Sequence, residues 1–286
     1  MSISLIIRSR WLGPLLGLAG MAGSFVASMA WAGQIEDRFT PPAADTAGAA
    51  FDHGAWTVLL QRYVRPGADG LNRVDYAAFK SGGQGELKAY LAALQVADVA
   101  RLSRAEQFAF WANLYNAKTV DVVLDAYPVA SIKDIRLGGG LKSLVGGGPW
   151  QAQVLRVGGL ALSLDDIENK ILRPLFGDPR AHYAINCASV GCPNLMPRAL
   201  AGAGIEGQLD DAARAYIASP RGVMVKDGRA TASSIYNWFQ ADFGGSVAGV
   251  LAHLRRYAPP EQLARLKRVT TIDGFDYDWR LNDVAR

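Results

Sequence analysis

The chain concentrates its reactive side chains in residues 182–193, His-Tyr-Ala-Ile-Asn-Cys-Ala-Ser-Val-Gly-Cys-Pro. Both cysteines, Cys187 and Cys192, lie there with His182, one of three histidines. A thiolate is the nucleophilic form of cysteine, and a neighbouring imidazole or a helix N-terminus favours it. These residue types suit thiol-dependent acyl transfer or amide hydrolysis. Cys187 is the first candidate nucleophile, Cys192 the second, and His182 the candidate base. Asn113 and Asn116 are candidates to orient groups or to stabilise an oxyanion. Three other fates remain open for the sulfurs. They can pair in an oxidising compartment and close the turn, cycle as a dithiol, or lie buried as free thiols. The redox fate departs from the usual motif, because four residues rather than two separate the cysteines.

Each role makes a demand on the backbone. On one straight strand, His182 and Cys187 point to opposite faces, so a bulge or a turn at Asn186 is needed to bring them together. Pro193 suits the first position of a helix, which puts Cys192 at its cap, where unpaired N–H groups favour a thiolate. Asn113 and Asn116 lie one helical turn apart and face the same way. They either tie down loop backbone or line the cleft that holds His182. His53 and His253 read as surface residues. Asp242, Asp276 and Asp278 are candidates to orient a histidine, with solvated surface charge as the alternative. Ser189 lacks the Gly-x-Ser-x-Gly frame of a serine hydrolase. No cluster has metal-ligand spacing, so neither a metal nor another cofactor is expected. The glycine-rich stretch 138–149 lacks the Gly-Lys-Ser/Thr ending of a phosphate loop and reads as a mobile loop or gate.

The positioning elements follow from periodicity. A helix from Asp52 to about Val64 carries Trp56, Leu59, Leu60 and Tyr63 on one stripe. A second runs from Glu86 to Val96. Ser103 to Tyr127 is the longest, with Ser103 and Glu106 spaced as a capping box and apolar residues on nearly every face, which places it mid-domain. Hairpins are expected around Gly158-Gly159 and at Lys226-Asp227-Gly228. A helix capped by Ser163 or Asp165 reaches Leu172. Further helices are expected at 205–217, 234–243, 247–257 and 261–269, before a last strand at 275–281. The sum is α+β: a mostly helical single domain with a small antiparallel sheet packed on a central buried helix.

Arg8 and Arg10, the uncharged stretch from Trp11 to Trp31 and the small-x-small pattern Ala30-Trp31-Ala32 read as a secretory signal peptide over residues 1–32. Residues 33–50 read as a flexible leader and 51–286 as the domain. The expected location is periplasmic or secreted. Of the formal charge of +4, two positive charges fall in the signal segment, and no basic run suggests nucleic acid as a partner. No later stretch is apolar enough to span a bilayer. The expected partner is an envelope ligand or substrate.

Several sequence words, in order, are similar to the domain of unknown function 547 family. They are Phe110-Trp111-Ala112-Asn113-Leu114-Tyr115-Asn116-Ala117, His182 through Ser189, and Gly191-Cys192-Pro193. Trp238-Phe239-Gln240-Ala241-Asp242-Phe243 and Tyr277-Asp278-Trp279-Arg280-Leu281-Asn282 resemble its bacterial members. The resemblance is densest over about 103–218. It implies one continuous domain and an exported bacterial protein, and it marks Asn113, Asn116, His182, Cys187 and Cys192 as motif positions without giving them roles. The sequence thus supports an exported protein whose best-fitting activity is thiol-dependent hydrolysis or acyl transfer on an envelope peptide or amide. The alternative is a non-enzymatic envelope binding module with a structural Cys187–Cys192 disulfide.

Overall fold

The structure is a computed structural model that describes residues 30–43, 48–137 and 148–285. The fold is the mostly helical α+β domain that the periodicities predict, with small sheets at its margins. At its centre is α4 (Arg104–Ala126), the longest helix, capped by Ser103, whose side chain accepts from the Glu106 N–H. Phe108, Phe110, Trp111, Leu114, Tyr115 and Val120 through Leu124 are all buried along it, so apolar neighbours surround it on every side.

Three helices pack beside α4: α1 (Gly54–Tyr63), α2 (Tyr76–Gly82) and α3 (Gln84–Gln95). Trp56, Leu59, Leu60 and Tyr63 form the buried stripe of α1, as their spacing requires. Its N-cap is His53 rather than Asp52, whose carboxylate instead accepts from the Gly54 N–H at 2.7 Å. The segment after α1 turns at Gly67 to Gly70 between β1 (Val64–Pro66) and β2 (Asn72–Val74), a hairpin whose strands are too short to show a period of two. The glycine-centred hairpin forms as expected, with β3 (Leu155–Val157) against β4 (Leu160–Leu162) and positive φ at Gly158 and Gly159.

The next helix starts at Ser163, which makes a reciprocal capping box with Asp166. It is not uniform. α5 (Leu164–Asp166) widens into a π turn at Ile167–Leu172 and re-forms as α6 (Arg173–Phe176). Then follow α7 (Ala181–Ala184), α8 (Ile205–Ala218) and a hairpin of β5 (Val223–Lys226) and β6 (Arg229–Ser233), turning at Asp227 and Gly228 with positive φ. The expected 234–243 helix splits into α9 (Ile235–Trp238) and a 3₁₀ turn at Gln240–Phe243. The chain finishes with α10 (Val247–Tyr257), α11 (Pro260–Leu266) and β7 (Gly274–Asp276).

Three expectations are corrected. β7 is shorter than the alternation at 275–281 suggests, and it pairs parallel, not antiparallel, with β6. Beyond it, the tail docks elsewhere: Ser189 bridges Leu281, and Val74 bridges Asp283. Residues 33–50 are not uniformly a leader, because 30–39 are helical and Ile35 and Phe39 are buried in the core. Phe39 meets the Trp111 ring edge-on at 4.8 Å, which supplies the apolar burial that anchors that helix. No helix follows Pro193, so Cys192 is not a helix cap. Residues 1–29 of the expected signal peptide (1–32) and residues 138–147 of the glycine-rich stretch (138–149) lie outside the described residues. Among those described, no helix is long and apolar enough to cross a membrane.

Among the described residues, most buried apolar side chains fall into two clusters. One surrounds α4; the other gathers Tyr183, Tyr216, Tyr236, Phe243 and Leu254 between β5–β6 and α8 to α10. The 181–195 segment is the seam, because Ala181, Ile185 and Leu195 belong to the first cluster and Tyr183 to the second.

Candidate functional site

Beside this seam lies a cavity of about 200 Å³. Its wall brings together His182, Cys187 and Cys192 with Glu168 and Asn169 from the π turn, Tyr115 from α4, and Trp238 and Phe239 at the end of α9. Tyr277 and Trp279 come from the terminal segment and Trp150 from the residues before β3. Thus the three reactive side chains of the 182–193 word do line one site.

A turn, not a straight strand, unites them. His182 sits in the single helical turn of α7, and the chain becomes extended at Ile185. Asn186 then organises a tight loop. Its Oδ1 accepts from the Ala188 N–H at 2.8 Å, its Nδ2 donates to Pro193 O at 2.7 Å, and Ala188 takes a positive φ. Cys187 and Cys192 close that loop as a disulfide, with Cα atoms 6.1 Å apart. The terminal segment clamps it from outside, through Val190 N–H to Arg280 O and Gly191 N–H to Asp278 O, both 2.8 Å. Only glycine fits at 191, since a Cβ there would lie 2.9 Å from the Asp278 nitrogen and 3.0 Å from the Tyr277 ring.

His182 is buried, and its Nε2 meets the Asp242 carboxylate at 2.7 Å. Arg173 grips the same carboxylate with Nε at 2.6 Å and Nη2 at 3.1 Å, and its Nη1 donates to Asn169 Oδ1. Phe239 stacks on the imidazole at 4.4 Å and carries the Arg173 guanidinium over its ring, also at 4.4 Å. Burial lowers the His182 pKa, and the attraction of Asp242 does not fully offset it. Burial works against ionising Asp242, but hydrogen bonds from His182 and Arg173 outweigh it and hold the carboxyl well below the usual carboxylate range. An ionised carboxylate only accepts, so Nε2 carries the imidazole proton and Nδ1 is the basic nitrogen. Of the three acids proposed to orient a histidine, Asp242 does so. Asp278 pairs with Arg280, and Asp276 accepts from the Tyr277 N–H.

Glu168 is the acid that the sequence reading missed. It faces the cavity, and Tyr115 Oη donates to its Oε2 at 3.3 Å. Burial among aromatic rings raises its pKa to about 7, against the opposing pull of Arg173 and the Tyr115 hydrogen bond. A carboxyl that titrates near neutrality can give or take a proton at physiological pH. Its signal in the sequence is slight: one acid amid Ile167, Ile171 and Leu172. The π turn that aims it has no compositional mark.

Asn113 and Asn116 resolve toward the structural role. Asn113 makes a reciprocal pair with Leu200, Nδ2 to O at 2.8 Å and N–H to Oδ1 at 3.0 Å. Asn116 spans the seam, donating to Ala184 O at 2.9 Å and accepting from the Asn186 N–H at 2.7 Å. Neither lines the cavity with His182, which corrects the expectation that they stabilise an oxyanion there. Asn116 is a positioning residue for the loop. The other two histidines are not surface residues either. His53 Nδ1 lies 2.6 Å from Tyr90 Oη and His253 Nε2 lies 2.8 Å from Tyr183 Oη, and burial lowers each pKa to about 4.

Among the described residues, no group of three or more His, Cys, Asp or Glu side chains is placed to hold a metal ion. Residues 99–217 match the model of a family described as "Protein of unknown function, DUF547". That span contains α4, Glu168, Arg173, His182 and both cysteines, whereas Asp242 and the walls formed by Trp238, Tyr277 and Trp279 come from the sequence after it. Comparisons with curated proteins and with solved structures gave no match.

Proposed function

We propose that this protein is an exported binding protein of the cell envelope, whose aromatic cavity holds a small ligand or chain segment that presents a flat or apolar face, such as a peptide or glycan. One observation carries this reading: Tyr115, Trp150, Trp238, Phe239, Tyr277 and Trp279 converge on a single cavity. Trp238 keeps 48% of its surface exposed there. An exposed tryptophan stacked on Trp279 at 5.7 Å costs hydrophobic stability unless something covers it. Glu168, Asp165, Asn169 and His182 supply polar groups that orient an occupant. Export rests on the N-terminal sequence, and the cystine is consistent with an oxidising compartment.

The test is a tryptophan-fluorescence titration with peptide, glycan and peptide–glycan fragments of the envelope. Saturable quenching that weakens at least tenfold in Trp238→Ala supports the proposal. Equal affinities in the two proteins would refute the cavity as the binding site. The N-terminal mass of protein made in cells tests export separately, with Gly33 as the expected first residue.

A second reading is thiol-dependent hydrolysis or acyl transfer on an envelope peptide or amide. The shared cavity of Cys187 and the His182–Asp242 pair favours it. It requires the disulfide to open first, so that Cys187 becomes a thiolate. Reduced protein should then take a thiol-directed activity probe, and Cys187→Ala should abolish the label. Persistent labelling would remove Cys187 from the role.

A further inference from the structure

We infer that the Cys187–Cys192 disulfide is a thiol–disulfide exchange centre, opened by a peptide thiol that attacks Cys187. This does not depend on which ligand fills the aromatic cavity. The two sulfurs are unequal. Cys187 is half-buried and Cys192 is 3% exposed, and both border the cavity. An incoming thiolate therefore reaches Cys187 more readily.

The backbone donor is unequal too. Cys192 Sγ receives the Cys187 backbone N–H at 2.8 Å. The Tyr277 hydroxyl lies beside both sulfurs, 3.0 Å from Cys192 Sγ and 3.1 Å from Cys187 Sγ, and the Ser189 hydroxyl lies 3.5 Å and 3.3 Å from them. Ser189 is fully buried, and its hydroxyl donates to Tyr277 Oη at 3.3 Å, leaving the tyrosine proton for the sulfurs. Burial raises the Tyr277 pKa, so the phenol stays a donor. The Arg221 guanidinium donates to the Cys192 and Val190 carbonyls and brings positive charge alongside. A disulfide sulfur is a weak acceptor and makes little use of such donors. A thiolate uses them fully, and the better-stabilised thiolate is the better leaving group.

The step is a two-electron exchange. The substrate thiolate forms a bond to Cys187 Sγ, the S–S bond breaks, and its electron pair goes to Cys192 Sγ. A second thiol on the same peptide, deprotonated, then attacks the substrate sulfur of the mixed disulfide and expels Cys187 as a thiolate. The peptide dithiol is oxidised to a disulfide and the protein is reduced to the Cys187/Cys192 dithiol. The substrate class is a peptide bearing two thiols, and the protein disulfide is the oxidant.

Glutathione serves as the probe, applied to the folded, oxidised full chain. Alkylation of new thiols, read by mass spectrometry, follows the opening. The expected result is opening at millimolar glutathione while circular dichroism stays native. Cys192→Ser, which leaves Cys187 alone, should form a mixed disulfide with oxidised glutathione at least tenfold faster than Cys187→Ser. Tyr277→Phe should slow opening by glutathione about tenfold. A disulfide that resists glutathione until the protein unfolds would overturn the inference, and so would faster capture at Cys192. The wild-type measurement stands if any variant fails to fold.

Discussion

Glu168 and the buried histidines pull stability in opposite directions with pH. In the unfolded chain a glutamate titrates near 4.5, but in the folded protein Glu168 is raised to about 7. The folded state holds that proton more tightly, so its contribution is fully present below pH 4.5 and is lost as pH rises through 7. His53 and His253 titrate near 6.5 when unfolded and at about 4 when folded. Their contribution is present above pH 6.5 and is lost as pH falls toward 4. Each shift corresponds to about 3 kcal/mol. Replacing Glu168 with Gln should therefore raise the unfolding free energy by about that amount at pH 8 and leave it nearly unchanged at pH 4. Denaturant titrations at the two pH values check this. The same substitution should abolish a fluorescence transition near pH 7 from the cavity tryptophans. An unchanged transition would mean that another group titrates there. A carboxyl kept at a cost to stability is the pattern expected where proton transfer is useful.

At the scale of elements, α4 works as a ruler. Its two asparagines, one turn apart, hold separate backbone segments, Leu200 for Asn113 and the Ala184–Asn186 seam for Asn116. Removing either amide strands a buried N–H and C=O, so each alanine variant should lose roughly 2–4 kcal/mol of stability. They should differ in function. Asn116→Ala should also weaken ligand binding, because Ala184–Asn186 lies between His182 and Cys187, whereas Asn113→Ala should leave binding in the folded fraction intact. Equal binding loss in both would show that the effect is global. The spacing of these residues was legible in the sequence, as were the N-cap at Ser103 and both glycine-centred turns, because each rests on local backbone chemistry. The β1–β2 hairpin was not, since its three-residue strands carry no period and, unlike β3–β4, no two-residue glycine turn joins them. The π turn was not either, because tertiary packing rather than local propensity sets it. It carries Glu168 and, directly after it, Arg173, so one irregularity aims both the cavity acid and the cation that holds Asp242.

For the whole molecule, the half of the site that the sequence concealed comes from distant chain. His182, Cys187 and Cys192 announced themselves within one twelve-residue word, whereas Tyr277 and Trp279 reach the cavity, and Asp242 reaches His182, only through the fold. The terminal segment does most of this. It adds β7 beside β6, clamps Val190 and Gly191, and ends with Val74 N–H donating to Asn282 O at 2.8 Å. Gly191 packs directly against the terminal segment. Alanine there should cost about 1–3 kcal/mol through the collision with Asp278 and Tyr277. It should also shift tryptophan emission, since Tyr277 lies 4.7 Å from Trp279 and 4.9 Å from Trp238. Calorimetry and fluorescence read the two effects independently. This strap has a practical corollary for anyone trimming the protein. An excised 99–217 piece would keep the sulfurs and the imidazole yet lose the phenol beside Cys192 and the carboxylate on His182, so borrowing that piece for another scaffold would transplant the side chains without the vessel that surrounds them.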